Sequence, residues 1–98
     1  MQSRQPQAFI LEQNFPNPFN SSTVFRYALS SAQRVELSLY SLTGQKVVSL
    51  ADGYRPAGVY AVRWDGRDDG GERVASGAYL YRLQVGDQAV TRRLLLLR

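Results

Sequence analysis

The chain has 98 residues, 44% hydrophobic and 20% charged, with no cysteine, no histidine and a formal net charge of +4. This is the composition of one small globular domain, and it excludes disulfides, thiolate metal sites, cysteine nucleophiles and any Ser-His-Asp triad. Lys46 is the only lysine, so the charge rests on scattered arginines with Arg92-Arg93 as the one adjacent pair; that pattern reads as a solvated outer face, with nucleic acid not an expected partner.

From the N-terminus, residues 1–8 are polar and unpatterned and read as a linker remnant, with the domain proper spanning 9–98. A start methionine fused to a linker suggests a piece cut from the end of something larger. The stretch LEQNFPNPFN, Leu11 to Asn20, follows. Each residue before a proline is pushed to extended geometry, and the prolines supply no backbone donor. The expectation is an edge strand with Phe15, Asn17 and Phe19 on one face, the two phenylalanines buried, and the proline side blocked against further pairing. Asn17 is expected to hydrogen-bond neighbouring backbone.

Period-two alternation then recurs to the C-terminus, and nothing reads as a helix. Phe25, Tyr27 and Leu29 form one inward set; Val35, Leu37 and Leu39 form the next. A turn at Leu42-Thr43-Gly44-Gln45 leads to a short strand around Lys46 to Leu50, and Asp52-Gly53 and Arg55-Pro56-Ala57-Gly58 supply turn chemistry. Tyr60, Val62 and Trp64 alternate next, with Trp64 read as core. After the loop WDGRDDGGERVASG come Tyr79, Tyr81, Leu83 and Val85, then a tight Gly86-Asp87 hairpin turn into Gln88 to Leu97. The count predicts an all-β chain: an immunoglobulin/fibronectin-III-like sandwich of about seven antiparallel strands. Tyr79 and Tyr81 are the candidates for a corner tyrosine.

Three groups of residues are candidates for function. The loop carboxylates Asp65, Asp68, Asp69 and Glu72 have the oxygen chemistry of a calcium ligand set. Their spacing does not fit an EF-hand, and Asp-Gly and Gly-Gly pairs are ordinary turn chemistry, so the expectation is a connecting loop with no metal and no cofactor. Tyr40 and Tyr54, expected on the outer face or in turns, could stack on sugars, which leaves a carbohydrate-binding module as an alternative. The C-terminal strand is the third: leucine occupies both parities over Leu94 to Leu97, flanked by Arg92, Arg93 and Arg98. Either both faces are covered, or one leucine pair is left for a receptor that adds the strand to a sheet or pockets it.

From Leu11 onward the chain resembles the C-terminal sorting domain of the type IX (Por) secretion system, itself related to the immunoglobulin-like part of flagellar hook-capping proteins. The carrying residues are the run from Leu11 through Asn14, Phe15, Pro16, Asn17, Pro18, Phe19 and Asn20, then Ser22-Thr23 and Phe25-Arg26-Tyr27. Tyr40 to Val47 with Gly44, Pro56-Ala57-Gly58, Trp64-Asp65-Gly66, Ala75 to Leu83 with Gly77, Tyr79 and Tyr81, and the ending Arg92 to Arg98 complete the set. Ser21 and Ser41 depart from it, where the family often has proline and aspartate. The long loop after Trp64 is closer to the hook-capping relatives, which keeps a hook-capping-type structural domain as an alternative.

The resemblance implies a non-catalytic address. Such a domain follows an N-terminal cargo domain, is recognised by outer-membrane machinery and is often removed by a surface peptidase. The cargo passes through the periplasm to the cell surface or medium, with attachment to anionic lipopolysaccharide as one fate. Residues Arg92 to Arg98 are the expected recognition element.

Overall fold

The computed structural model describes residues 9–98; the expected linker, residues 1–8, lies outside them. Seven strands follow in order: β1 (Phe9–Leu11), β2 (Thr23–Leu29), β3 (Gln33–Ser41), β4 (Lys46–Arg55), β5 (Gly58–Trp64), β6 (Gly77–Val85) and β7 (Gln88–Leu96). They form two sheets, β1-β2-β5 and β4-β3-β6-β7, with every strand pair antiparallel. This is the expected immunoglobulin-like sandwich.

The alternation seen in the sequence becomes the core. Phe25, Tyr27 and Leu29 of β2 face Val35, Leu37 and Leu39 of β3 and Tyr81, Leu83 and Val85 of β6, all buried. Phe25 and Tyr81 meet across the sheets with ring centroids 4.6 Å apart. Trp64 is buried as expected, tilted against Phe19 at 5.5 Å and edge-on to Tyr79 at 6.2 Å, and its Nε1–H donates to the Arg67 carbonyl at 2.8 Å. Tyr79 is the corner tyrosine: its hydroxyl donates to the Ala75 carbonyl, four residues upstream at the entry to β6.

Two expectations fail. β4 does not end near Leu50 but runs to Arg55, with Asp52 and Gly53 inside it, paired with Glu36 and Val35. The register slips between Leu37 and Ser38 and again between Leu39 and Tyr40, so Leu50 and Val47 are the extra residues of two bulges. Pairing to β3 overrides the turn preference of Asp-Gly. The Phe15–Phe19 segment is also not one edge strand. Phe15 bridges Val24 of the first sheet, while Phe19 bridges Leu96 of the second. Both X–Pro bonds between them are cis. Because Phe15 and Phe19 bridge different sheets, the chain changes sheets within five residues and the two rings share no face. Phe19 is 3% exposed and in the core; Phe15 is 72% exposed, beside Val24 on the outer face.

Candidate functional site

β7 is delivered by a two-residue turn. Val85 pairs with Gln88, and Gly86 adopts φ +58°, the positive value that the first central position of a II′ turn requires. From there the parities separate. Leu94 and Leu96 are fully buried against the core, whereas Leu95 and Leu97 are 37% and 53% exposed. Leu95 lies beside Ala78, Arg93 beside Leu80, and Leu80 in turn beside Tyr40. The outer face of the four-stranded sheet thus carries an apolar band ending in Leu95 and Leu97, with Arg93 and Arg82 along it. An open groove of about 350 Å³ adjoins Leu97, lined also by Pro16, Pro18, Phe19 and Asn20.

The free edge of β7 is closed over the same residues. Phe19 N–H donates to the Leu95 carbonyl at 3.1 Å and Leu97 N–H to the Phe19 carbonyl at 2.8 Å. Leu95 N–H donates to Asn17 Oδ1 at 2.9 Å, which is the expected role of Asn17, and Gln13 Nε2 donates to the Arg93 carbonyl at 2.8 Å. A receptor strand cannot be added along Arg93 to Leu97 without displacing this segment. What the strand presents there is a face, through Arg93, Leu95 and Leu97.

Behind the segment lies a closed polar knot. The Tyr81 hydroxyl donates to the Glu12 carbonyl at 2.8 Å and accepts from Asn14 N–H at 2.9 Å. Asn14 is itself buried; its Nδ2 donates to Thr23 Oγ1 and to the Pro16 carbonyl, and Thr23 Oγ1 donates to that same carbonyl at 2.8 Å. Gln13 Nε2 reaches Asn14 Oδ1 at 2.7 Å. Burial pushes the Tyr81 and Tyr79 phenols above their ordinary pKa, since ionisation there would put a charge where water is scarce. Asn14 and Tyr81 both carry the family resemblance, but the network joins residues 67 and 69 positions apart, and no local pattern announces it.

Two of the terminal arginines serve the fold. Arg92 shares the inward parity but sits at the margin, and its Nε donates to the Leu11 carbonyl at 2.8 Å, tying β7 to β1 across the two sheets. Arg98 holds the long loop: its N–H donates to Ser76 Oγ, its Nε to the Val74 carbonyl and its Nη2 to the Gly66 carbonyl at 2.8 Å. Of the expected recognition stretch, then, Leu94 and Leu96 fill the core and Arg92 and Arg98 brace it.

The other candidates are dispersed. Asp68 Oδ1 accepts from the N–H groups of Gly70 and Glu72, Asp69 Oδ1 from Ser49 N–H, and Asp65 faces Arg67 at 3.7 Å. Asp65, Asp68 and Asp69 each have a separate contact, and among the described residues no three acidic groups gather as a metal cluster. Gly44 sits in the β3–β4 turn and Gly77 opens β6. Tyr40 is opposite Lys46 and Tyr54 opposite Arg34. Six positions of β3 separate them, about 20 Å at strand rise, so they share no stacking platform.

Residues 19–89 match the sequence model of a family described as the FlgD Ig-like domain. No curated protein matches the chain. Among solved structures, dimeric latent PorU from Porphyromonas gingivalis is similar at 22% identity and a TM-score of 0.72, over 99% of this chain and 10% of that one. PorZ from the same organism, described as an essential bacterial surface component of the type-IX secretion system, gives 20% identity and 0.62, over 88% of this chain and 11% of its own. FlgD from Xanthomonas campestris, described in connection with hook capping essential for flagellar assembly, gives 25% and 0.59, over 92% of this chain and 62% of its own. The chain thus spans about a tenth of the two Porphyromonas proteins.

Proposed function

The chain belongs to the FlgD Ig-like domain family, and from that premise we propose that it is a non-catalytic sorting domain which directs an N-terminal cargo through the type IX secretion system. Its partners in this reading are the outer-membrane machinery and a surface peptidase. The cargo passes from the periplasm to the cell surface or medium, with anionic lipopolysaccharide as its attachment point where it is retained. The observation that carries the reading is the division of β7: Leu94 and Leu96 secure the core while Leu95 and Leu97 stay outside with Arg93. Stability does not require apolar side chains at those outward positions, and a receptor that pockets two leucines between arginines does. The test is a reporter fused ahead of the domain in a host with the secretion system. The double variant Leu95→Ser/Leu97→Ser should fold, and its precursor should accumulate in the periplasm; normal export of the folded variant overturns the reading.

A second reading is a hook-capping-type structural domain. The family match and the larger share of FlgD covered, 62% of that chain, favour it. The same fusion separates the two: a structural domain leaves the reporter in the periplasm whether or not Leu95 and Leu97 are intact.

A further inference from the structure

Each sandwich has sheet edges whose outward N–H and C=O groups are unpaired, and natural β-proteins guard them. Here β7 is closed over its last half by Asn17 and Phe19. β4 carries two bulges, and Asp69 lies along it, donating to the Val47 carbonyl and accepting from Ser49 N–H. β1 is three residues long and gives its Leu11 carbonyl to Arg92. Among the described residues, β5 has none of these devices. It runs seven residues, GVYAVRW, with no proline and no bulge against β2.

The hydrogen-bond parity says which groups are free. Phe15 and Val24 exchange both backbone bonds, and Glu12 N–H donates to the Arg26 carbonyl, so Val24 and Arg26 turn their peptide groups away from β5. Their partners Arg63 and Ala61, and by alternation Val59 opposite Ala28, must then turn theirs outward. Three residues thus present three donors and three acceptors along one straight edge, with no backbone partner among the described residues. Val59 is 79% exposed.

Charge specifies the occupant. Arg63, opposite Val24, and Arg26, opposite Ala61, are diagonal neighbours on the outer face next to this edge, and neither has a carboxylate within ion-pair distance among the described residues. Before the start of β5, the Arg55 guanidinium donates to the Tyr54 carbonyl at 3.1 Å. The nearest acid after β5, Asp65, faces Arg67. The geometry points to β5 as a docking edge for an extended, acid-bearing segment of another protein, which pairs with Val59, Ala61 and Arg63 and sets carboxylates against Arg63 and Arg26. This mode is strand addition, with main-chain bonds giving affinity and alternate side chains giving selectivity. It is separate from the β7 face and does not depend on the export reading.

The probe is a synthetic peptide of about seven residues alternating valine and glutamate, with capped ends, beside its valine–lysine counterpart. Titrated into the 98-residue chain, the glutamate peptide should shift the amide resonances of Val59, Ala61 and Arg63, and the lysine peptide should bind at least tenfold more weakly. Ala61→Pro removes an outward donor and should abolish the shifts. Should that variant not fold, Arg63→Glu, an exposed change, should reverse the preference between peptides. Equal binding of both peptides, shifts at β4 or β7 instead, or no binding overturns the proposal. So do shifts at residues 59–63 that follow the concentration of the chain alone, because the occupant would then be a second copy.

Discussion

Phe15 and Phe19 are the same residue type four positions apart, and the structure gives them opposite energetics. Phe19 fills the space beside Trp64, so Phe19→Ala should cost about 3–5 kcal/mol, the range for truncating a buried phenylalanine. Phe15→Ala removes an exposed ring and should move stability by no more than about 0.5 kcal/mol. Chemical denaturation of the two variants checks this directly, and similar losses would contradict the placement of Phe15. Tyr81 makes the complementary point. Its ring belongs to the core, but its hydroxyl is the partner of both the Glu12 carbonyl and Asn14 N–H. Tyr81→Phe keeps the packing and leaves those two backbone groups unpaired, which should cost about 1–3 kcal/mol. A neutral Tyr81→Phe would mean water replaces the hydroxyl at no cost.

At the level of elements, β7 and the proline segment behave as one unit. Asn17 supplies the acceptor that a further strand would have supplied to Leu95 N–H. Asn17→Ala should therefore speed hydrogen exchange at Leu95 far more than at Leu94, whose alternate peptide groups face β6. Unchanged exchange at Leu95 would show that Phe19 alone closes the edge. The sequence made much of this legible. Inward alternation on β2, β3 and β6, the Gly86-Asp87 turn and the leucines on both parities of β7 are all local patterns, and all appear where period two puts them. Phe15 and the second half of β4 were not legible, for one physical reason. Parity holds only while a strand stays in one sheet and one register, and nothing local in Phe15 to Phe19 or Asp52-Gly53 announces the sheet change or the pairing partner that overrides a turn. The bracing roles of Arg92 and Arg98 are equally non-local, joining residues 81 and 32 positions apart.

For the molecule as a whole, the sandwich is fastened unevenly. Along the β1–β7 side, Tyr81, Arg92 and Gln13 stitch the two sheets with side-chain bonds to backbone. On the other side, no described residue pairs with the outer edge of β5. The buried phenols make stability depend on alkaline pH. Burial raises the phenol pKa values of Tyr27, Tyr79 and Tyr81, opposed in part by Arg55 at Tyr27, by Arg98 at Tyr79, and by Asn14 N–H and Arg92 at Tyr81. A group that holds its proton more tightly when folded contributes its full stabilisation below the unfolded pKa, about 10 for tyrosine, and loses it as pH rises through the folded value. The melting temperature should accordingly fall above about pH 10, with phenolate absorbance from these three residues appearing together with unfolding. Tyr81→Phe removes one of the three phenols, so the variant should start less stable yet decline less steeply across the same alkaline range. If its decline is as steep as that of the parent chain, Tyr81 ionises no later in the folded state than in the unfolded one, and its hydroxyl is not buried in the knot that closes this side.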